Sequence, residues 1–236
     1  MRFAVISDIH SNLHALQAVL ADIEDRGLEH IYCLGDVVAY AAYPNEVVEI
    51  LRKRGIKTVQ GNCDRRIGEG LPTAPQDFPN AEAARLAGIF NDWTIDIMGE
   101  ANKQWLANLP LEVRFMADDL SVLMVHGSPR RINEGMHGNM SDGELVETAG
   151  SAGFDILLCG HTHAPYHRLI EGRHYINPGS VGKPKHGNDN PVYAIVDVVG
   201  RKVAVTTVEV PYNIDEAAEA IIAAGMPEHF ALDLKR

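Results

Sequence analysis

Five short apolar runs in this chain each end in polar residues of the kinds that bind metal ions. Phe3-Ala4-Val5-Ile6 leads to Ser7, Asp8, Ile9 and His10. Ile31-Tyr32-Cys33-Leu34 leads to Gly35 and Asp36. Lys57-Thr58-Val59-Gln60 leads to Gly61, Asn62, Cys63 and Asp64. Val122-Leu123-Met124-Val125 leads to His126-Gly127, and Ile156-Leu157-Leu158-Cys159 leads to Gly160, His161, Thr162 and His163. Carboxylate, imidazole and amide oxygen together suit borderline divalent ions such as Mn, Fe, Co, Ni or Zn. No thiolate-rich cluster points to a structural zinc. Taken singly, each block has a plainer reading: an aspartate after a strand usually caps a turn or helix. It is the repetition at five run ends that carries the metal reading.

Asp8, His10, Asp36, Asn62, His126, His161 and His163 are more donors than one ion needs. Two ions about 3.5–4 Å apart that share a carboxylate would use them all, clamp a phosphate and acidify a water between them. Two divalent cations would also make a positive site within an acidic protein, so an anionic substrate is compatible with the overall charge.

The elements that must position these residues alternate at first. Phe3–Ile6, Ile31–Leu34 and Thr58–Gln60 have strand patterns. Helical spacing covers Asn12–Arg26, with Leu13, Leu16, Leu20 and Ile23 on one stripe, and Pro44–Arg54. Strands alternating with helices predict right-handed parallel crossovers and a helix-covered sheet. Ligands bind beyond the carboxyl ends of strands in such sheets, where the polar residues stand. Residues 65–117 break the rhythm and read as a helical insertion beside the sheet, with helices over Asn80–Phe90 and Glu100–Leu106. Leu71–Pro79, with its prolines, reads as loop. From Leu111 the chain is rich in short β patterns, with a hairpin turn at Glu171-Gly172. Helices are expected near Ser141–Ala149 and Ile214–Ala224. The whole of 1–236 reads as one domain.

The 236 residues carry a formal net charge of −11, which argues against general nucleic-acid or membrane-surface binding. Cys33, Cys63 and Cys159 are odd in number and far apart, which predicts reduced thiols and a cytoplasmic location rather than a disulfide framework. The N-terminus enters a strand pattern directly, and no apolar run is long enough to span a bilayer.

In order and type, the blocks Asp8-x-His10, Gly35-Asp36, Gly61-Asn62-Cys63-Asp64, His126-Gly127 and Gly160-His161-Thr162-His163 resemble the calcineurin-like metallophosphoesterase superfamily. Asn177-Pro178-Gly179-Ser180 is similar to a downstream loop of its bacterial and archaeal single-domain branch. Ala83–Pro110 resembles the part of that branch related to diadenosine tetraphosphatases. The resemblance implies an α/β fold, a four-layer α/β/β/α two-sheet sandwich. It also implies two divalent ions, with manganese the expected one and Fe, Zn, Ni or Co as substitutes. One ion would be held by Asp8, His10, Asp36 and His163. The other would be held by Asp36, Asn62, His126 and His161, with Asp36 as the bridge.

The implied activity is that of a phosphodiesterase or phosphatase on a small phosphate ester or nucleotide, with a metal-bridging hydroxide as nucleophile. The alternatives are a dinucleoside polyphosphate hydrolase and a non-catalytic scaffold of the same fold, like the phosphoesterase-like subunit of retromer. Many relatives carry histidine after the asparagine of the third block as general acid, where this chain has Cys63. A thiol is a poor proton donor to an alkoxide, so diesters or anhydrides are favoured over alkyl monoesters. His137 or His186 could supply the proton from a loop, Arg65 could contact the phosphate, and Asp64 is expected to orient a ligand histidine. Lys183 and Lys185 are weaker candidates for the same anion.

Overall fold

The computed structural model describes residues 1–77 and 80–235. Two mixed five-stranded sheets pack face to face. The first contains β1 (Arg2–Ile6), β2 (Ile31–Cys33), β3 (Lys57–Thr58), β9 (Val192–Val199) and β10 (Lys202–Glu209), in the order β10-β9-β1-β2-β3. The second contains β4 (Glu112–Ala117), β5 (Leu120–Val125), β6 (Ile156–Leu158), β7 (Tyr166–Ile170) and β8 (Arg173–Asn177), in the order β4-β5-β6-β8-β7.

Period-2 alternation builds the layers. On β1, Phe3 and Val5 face the other sheet and pack with Val122, Met124, Ile156 and Leu158. Ala4 and Ile6 face the other way, against α1 (Leu13–Asp25) and α2 (Pro44–Lys53) through Leu16, Val19, Leu20, Val47 and Leu51. The far face of the second sheet packs Leu123, Leu157 and Tyr175 against Leu145 of α6 (Asp142–Ala149). The result is the expected helix–sheet–sheet–helix order. Asn12 starts α1 by accepting the Ala15 amide at 3.1 Å, and the capping box of Ser141 and Glu144 starts α6.

The helical stretch after β3 comprises α3 (Asn62–Gly68), α4 (Ala81–Ile97) and α5 (Glu100–Ala107). It is shorter than the expected 65–117, because residues 112–117 are β4, an edge strand of the second sheet. Pro75–Asp77 form a 3-10 turn within the predicted loop, whose Phe78 and Pro79 lie outside the described residues. After α7 (Ile214–Ala223), a short α8 (Glu228–Leu232) follows that periodicity did not reveal. It packs on α4 and α7 through Phe90, Ile221 and Phe230. The Glu171-Gly172 hairpin forms as expected, with φ of 50° and 76°.

Candidate metal centre

The five polar strand ends come from both sheets, not from one sheet edge. β1, β2 and β3 run parallel in the first sheet, and β5, β6 and β8 run parallel in the second. Their carboxyl ends stand side by side, and two contacts tie them across the gap. His126 Nδ1 donates to Leu34 O at 2.7 Å, and the His161 amide donates to Asp8 Oδ2 at 3.1 Å.

The turns after these strands are strained. Asp8 (φ 53°), His10 (49°), Asp36 (49°), His161 (65°) and His163 (62°) all adopt left-handed backbone. Each such residue costs on the order of 1–3 kcal/mol and persists only where its surroundings over-determine it. These residues lie two to five positions beyond the ends of β1, β2 and β6. Two glycines permit the close approach. A Cβ on Gly61 would lie 2.1 Å from the Asp36 amide nitrogen and 2.2 Å from Asp36 Oδ1, and one on Gly160 would lie 2.2 Å from Ser7 Oγ.

Three overlapping groups of donors result: Asp8, His10 and His163; Asp36, His126 and His161; and, between them, His10, Asp36 and Cys63. In the first, His163 Nε2 lies 3.1 Å from His10 Nε2 and 3.3 Å from Asp8 Oδ1. In the second, His126 Nε2 lies 3.1 Å from Asn62 Oδ1 and 3.5 Å from Asp36 Oδ2. The Nδ1 atoms of His10, His126 and His163 donate to the carbonyls of Val38, Leu34 and Lys183. That fixes the tautomers and turns the Nε2 atoms inward, as ligands require. The Nε2 atoms of His10 and His163 thus face each other, and the buried Asp8 Oδ1 has no hydrogen-bond partner. An orphaned carboxylate oxygen beside opposed imidazole nitrogens is a cradle for a cation, so the residues present fit divalent metal.

The donors also shift one another's affinity for protons. Burial alone would raise Asp8, but the neighbouring His163 holds it at about 2. Asp36 is likewise held well below the carboxylate range against its burial, chiefly by His126. Burial and the adjacent His163 push His10 down to about 3. For His126, the pull of Asp36 overcomes burial and lifts it to about 10.

A cleft of about 530 Å³ opens over the donors, with His137, Arg66, Tyr40, Lys183 and Lys185 in its walls. Three expectations, for Arg65, His186 and Asp64, are corrected. Arg65 does not line this cleft. It pairs with Glu69 at 3.2 Å and lines a neighbouring pocket, because consecutive residues on α3 point about 100° apart and Arg66 takes the inward position. His186 lies outside the cleft wall, its Nε2 3.5 Å from Glu209 Oε2. Asp64 orients backbone and not a histidine: its carboxylate accepts the amides of Val37 (2.8 Å), Val38 (3.3 Å) and Gly61 (2.9 Å). It thereby locks the Asp36 turn to the Asn62 turn. Cys63 lines the cleft but is buried, and burial followed by the nearby Asp36 and Asp64 raises its thiol well above its ordinary value. Tyr40 was missed, since an aromatic in the Ala39–Tyr43 stretch carries no spacing signal. Only its left-handed φ of 66° betrays it.

Comparisons with known proteins agree with this geometry. The calcineurin-like phosphoesterase superfamily domain matches residues 1–201. An uncharacterised protein of Methanocaldococcus jannaschii is 35% identical, over 95% of this chain and 93% of its own length. The phosphodiesterase YfcE of Escherichia coli is 24% identical, over 83% of this chain and 91% of its own. A metallophosphoesterase structure from Sphaerobacter thermophilus superposes with a TM-score of 0.79 at 30% identity, covering 99% of this chain and 98% of that one. A hypothetical protein of Pyrococcus horikoshii shares the fold, with a TM-score of 0.88 at 22% identity over 100% and 98% of the two chains. With its donors gathered at two sheet edges and that match spanning most of its length, the chain belongs to the calcineurin-like phosphoesterase superfamily of metal-dependent phosphoester hydrolases.

Proposed function

We propose that the protein is a dinuclear phosphodiesterase acting on small phosphate esters or nucleotides, with manganese in use and a cytoplasmic home. Asp8, His10, Asp36 and His163 would hold one ion, and Asp36, Asn62, His126 and His161 would hold the other. One observation carries the reading. Asp36 Oδ2 lies 3.9 Å from His10 Nε2 and 3.5 Å from His126 Nε2, so a single carboxylate reaches both donor groups. When bound, the ions supply Lewis acidity toward phosphoryl oxygens and a water acidic enough to attack phosphorus near neutral pH.

The chain's own residues do the rest. Asn62 and Asp36 are fixed in one geometry by Asp64 and by the Cys63 amide, which donates to Asp36 Oδ1 at 2.8 Å. Arg66 brings positive charge to the cleft wall to offset charge developing on the transferred phosphoryl group. Cys63 keeps its proton, so departing oxygens of low basicity suit the site. His137 is the wall residue able to give a proton to a more basic one. A narrower reading, dinucleoside polyphosphate hydrolysis, draws support from the cations Arg66, Lys183 and Lys185 along the cleft.

The test is metal analysis together with hydrolysis of bis-p-nitrophenyl phosphate in added manganese, followed by a nucleotide panel. The reading expects about two ions per chain and metal-dependent turnover. Less than one ion and no turnover would leave a non-catalytic scaffold. A large preference for diadenosine tetraphosphate would select the narrower reading.

A further inference from the structure

Lys183 is anchored to the metal centre through its backbone. Its carbonyl accepts His163 Nδ1 at 2.6 Å, and its amide donates to Ser180 Oγ at 2.8 Å. Ser180 in turn donates to Asp8 O at 2.8 Å. The Lys183 side chain then enters the cleft wall. There Nζ lies 4.5 Å from the centroid of the Tyr40 ring and 3.6 Å from Asp233 Oδ2.

Both neighbours are themselves held. The Tyr40 ring meets His10 edge-on at 4.8 Å, and its left-handed backbone is one a bulky residue seldom adopts. Asp233 follows α8, beyond the residues 1–201 that the family domain matches. Its segment is fixed by Phe230, whose ring contacts Phe90 at 4.2 Å, and by the buried Leu234. The C-terminal segment thus reaches back to steady a cation at the mouth of the site. A lysine steadied by a ring face and a carboxylate has less rotamer freedom left to lose on meeting an anion.

We propose that Lys183 is a specificity-determining cation that binds a second ionised phosphate of the substrate, one not under attack, and that Tyr40 and Asp233 position it. This rests on the phosphodiesterase reading and narrows it. The preferred substrates are diesters or anhydrides carrying a further phosphate, such as nucleotides phosphorylated at a second position. Arg66 on the same cleft adds to the attraction.

Two ligands that differ by one phosphate test this. Adenosine 3′,5′-bisphosphate and adenosine 5′-monophosphate are titrated calorimetrically into wild type, Lys183→Met, Asp233→Asn and Asp233→Glu, with and without manganese. Lys183→Met is expected to weaken the bisphosphate about tenfold more than the monophosphate, the scale of one charge-assisted contact. Asp233→Asn is expected to show the same selective loss at about threefold, and Asp233→Glu to restore it. Equal weakening of both ligands, or loss of thermal stability with no change in selectivity, would make the Lys183–Asp233 pair structural and overturn the proposal. Binding is read without turnover. A wild type that discriminates as expected but hydrolyses no diester defeats the phosphodiesterase reading alone, and turnover without selective loss in Lys183→Met defeats this proposal alone.

Discussion

His10 and His163 face each other with their Nε2 atoms 3.1 Å apart, while the Nδ1 of each ring donates to a backbone carbonyl. Together with the unpartnered Asp8 Oδ1, this arrangement is unfavourable until a cation fills it. Divalent metal is therefore expected to stabilise the fold. At a hundredfold excess over Kd the gain is about 3 kcal/mol, or roughly 6–10 °C in Tm. Scanning calorimetry with manganese and with chelator measures it. His163→Ala should reduce the metal bound by about half and remove most of the shift, and an unchanged shift would count against the ligand assignment.

Gly61 has no room for a side chain. A methyl there would collide with the Asp36 backbone and carboxylate at 2.1 and 2.2 Å. Gly61→Ala is expected to cost about 2 kcal/mol and lower Tm by roughly 4–8 °C. Because the clash displaces the proposed shared ligand, metal affinity should fall with it. Gly27→Ala is the comparison, since a methyl there meets nothing within 4 Å and any loss comes from its φ of 66° alone.

Asp64 is predicted to act through backbone. Its three amide contacts fix the turns that present Asp36 and Asn62. Asp64→Ala should weaken metal binding about 10–100-fold, the range for residues that support ligands without touching the ion. Equilibrium metal titration reads this, and an affinity equal to wild type would refute it.

Cys63 lines the cleft beside Asn62, yet burial followed by the charge of Asp36 holds its thiol protonated. It should resist iodoacetamide at pH 7.5 in the folded protein and react once unfolded. Cys63→His is expected to raise turnover of alkyl monoesters by about 10²-fold or more relative to p-nitrophenyl diesters, the usual scale of general-acid assistance. Equal effects on both substrate types would show that the leaving group needs no acid at this position.

Asp155 offers a pH test away from the cleft. It accepts Ser121 Oγ at 2.7 Å and the Ser121 amide at 2.9 Å, and Arg201 lies at 2.8 Å. These hydrogen bonds lower its pKa below the ordinary value, outweighing a small burial effect. A carboxyl depressed on folding stabilises the protein above its unfolded pKa of about 3.9 and loses that contribution as pH falls through the folded value. Asp155→Asn should cost about 1 kcal/mol near neutrality, after solvent screening, and nearly nothing in strong acid. Parallel Tm–pH curves for the two proteins would contradict the assignment.

The sequence by itself determined the inventory of donors and where each stands along the chain. An apolar run that ends in Asp, His or Asn is a local pattern, and strand period and helix stripe are local too. Asp8, His10, Asp36, Asn62, His126, His161 and His163 could therefore be read before any fold was known.

Only the tertiary structure decided how those donors meet. It divided the five strand ends between two sheets, chose Arg66 over Arg65 by one helical step and removed His186 to a partner on β10. It also gave Asp64 to backbone amides and brought Asp233 to Lys183 across 50 residues. The physical reason is the same in each case. These outcomes depend on left-handed turns and long-range packing, whose energies come from contacts between distant segments and leave no period in the chain that forms them.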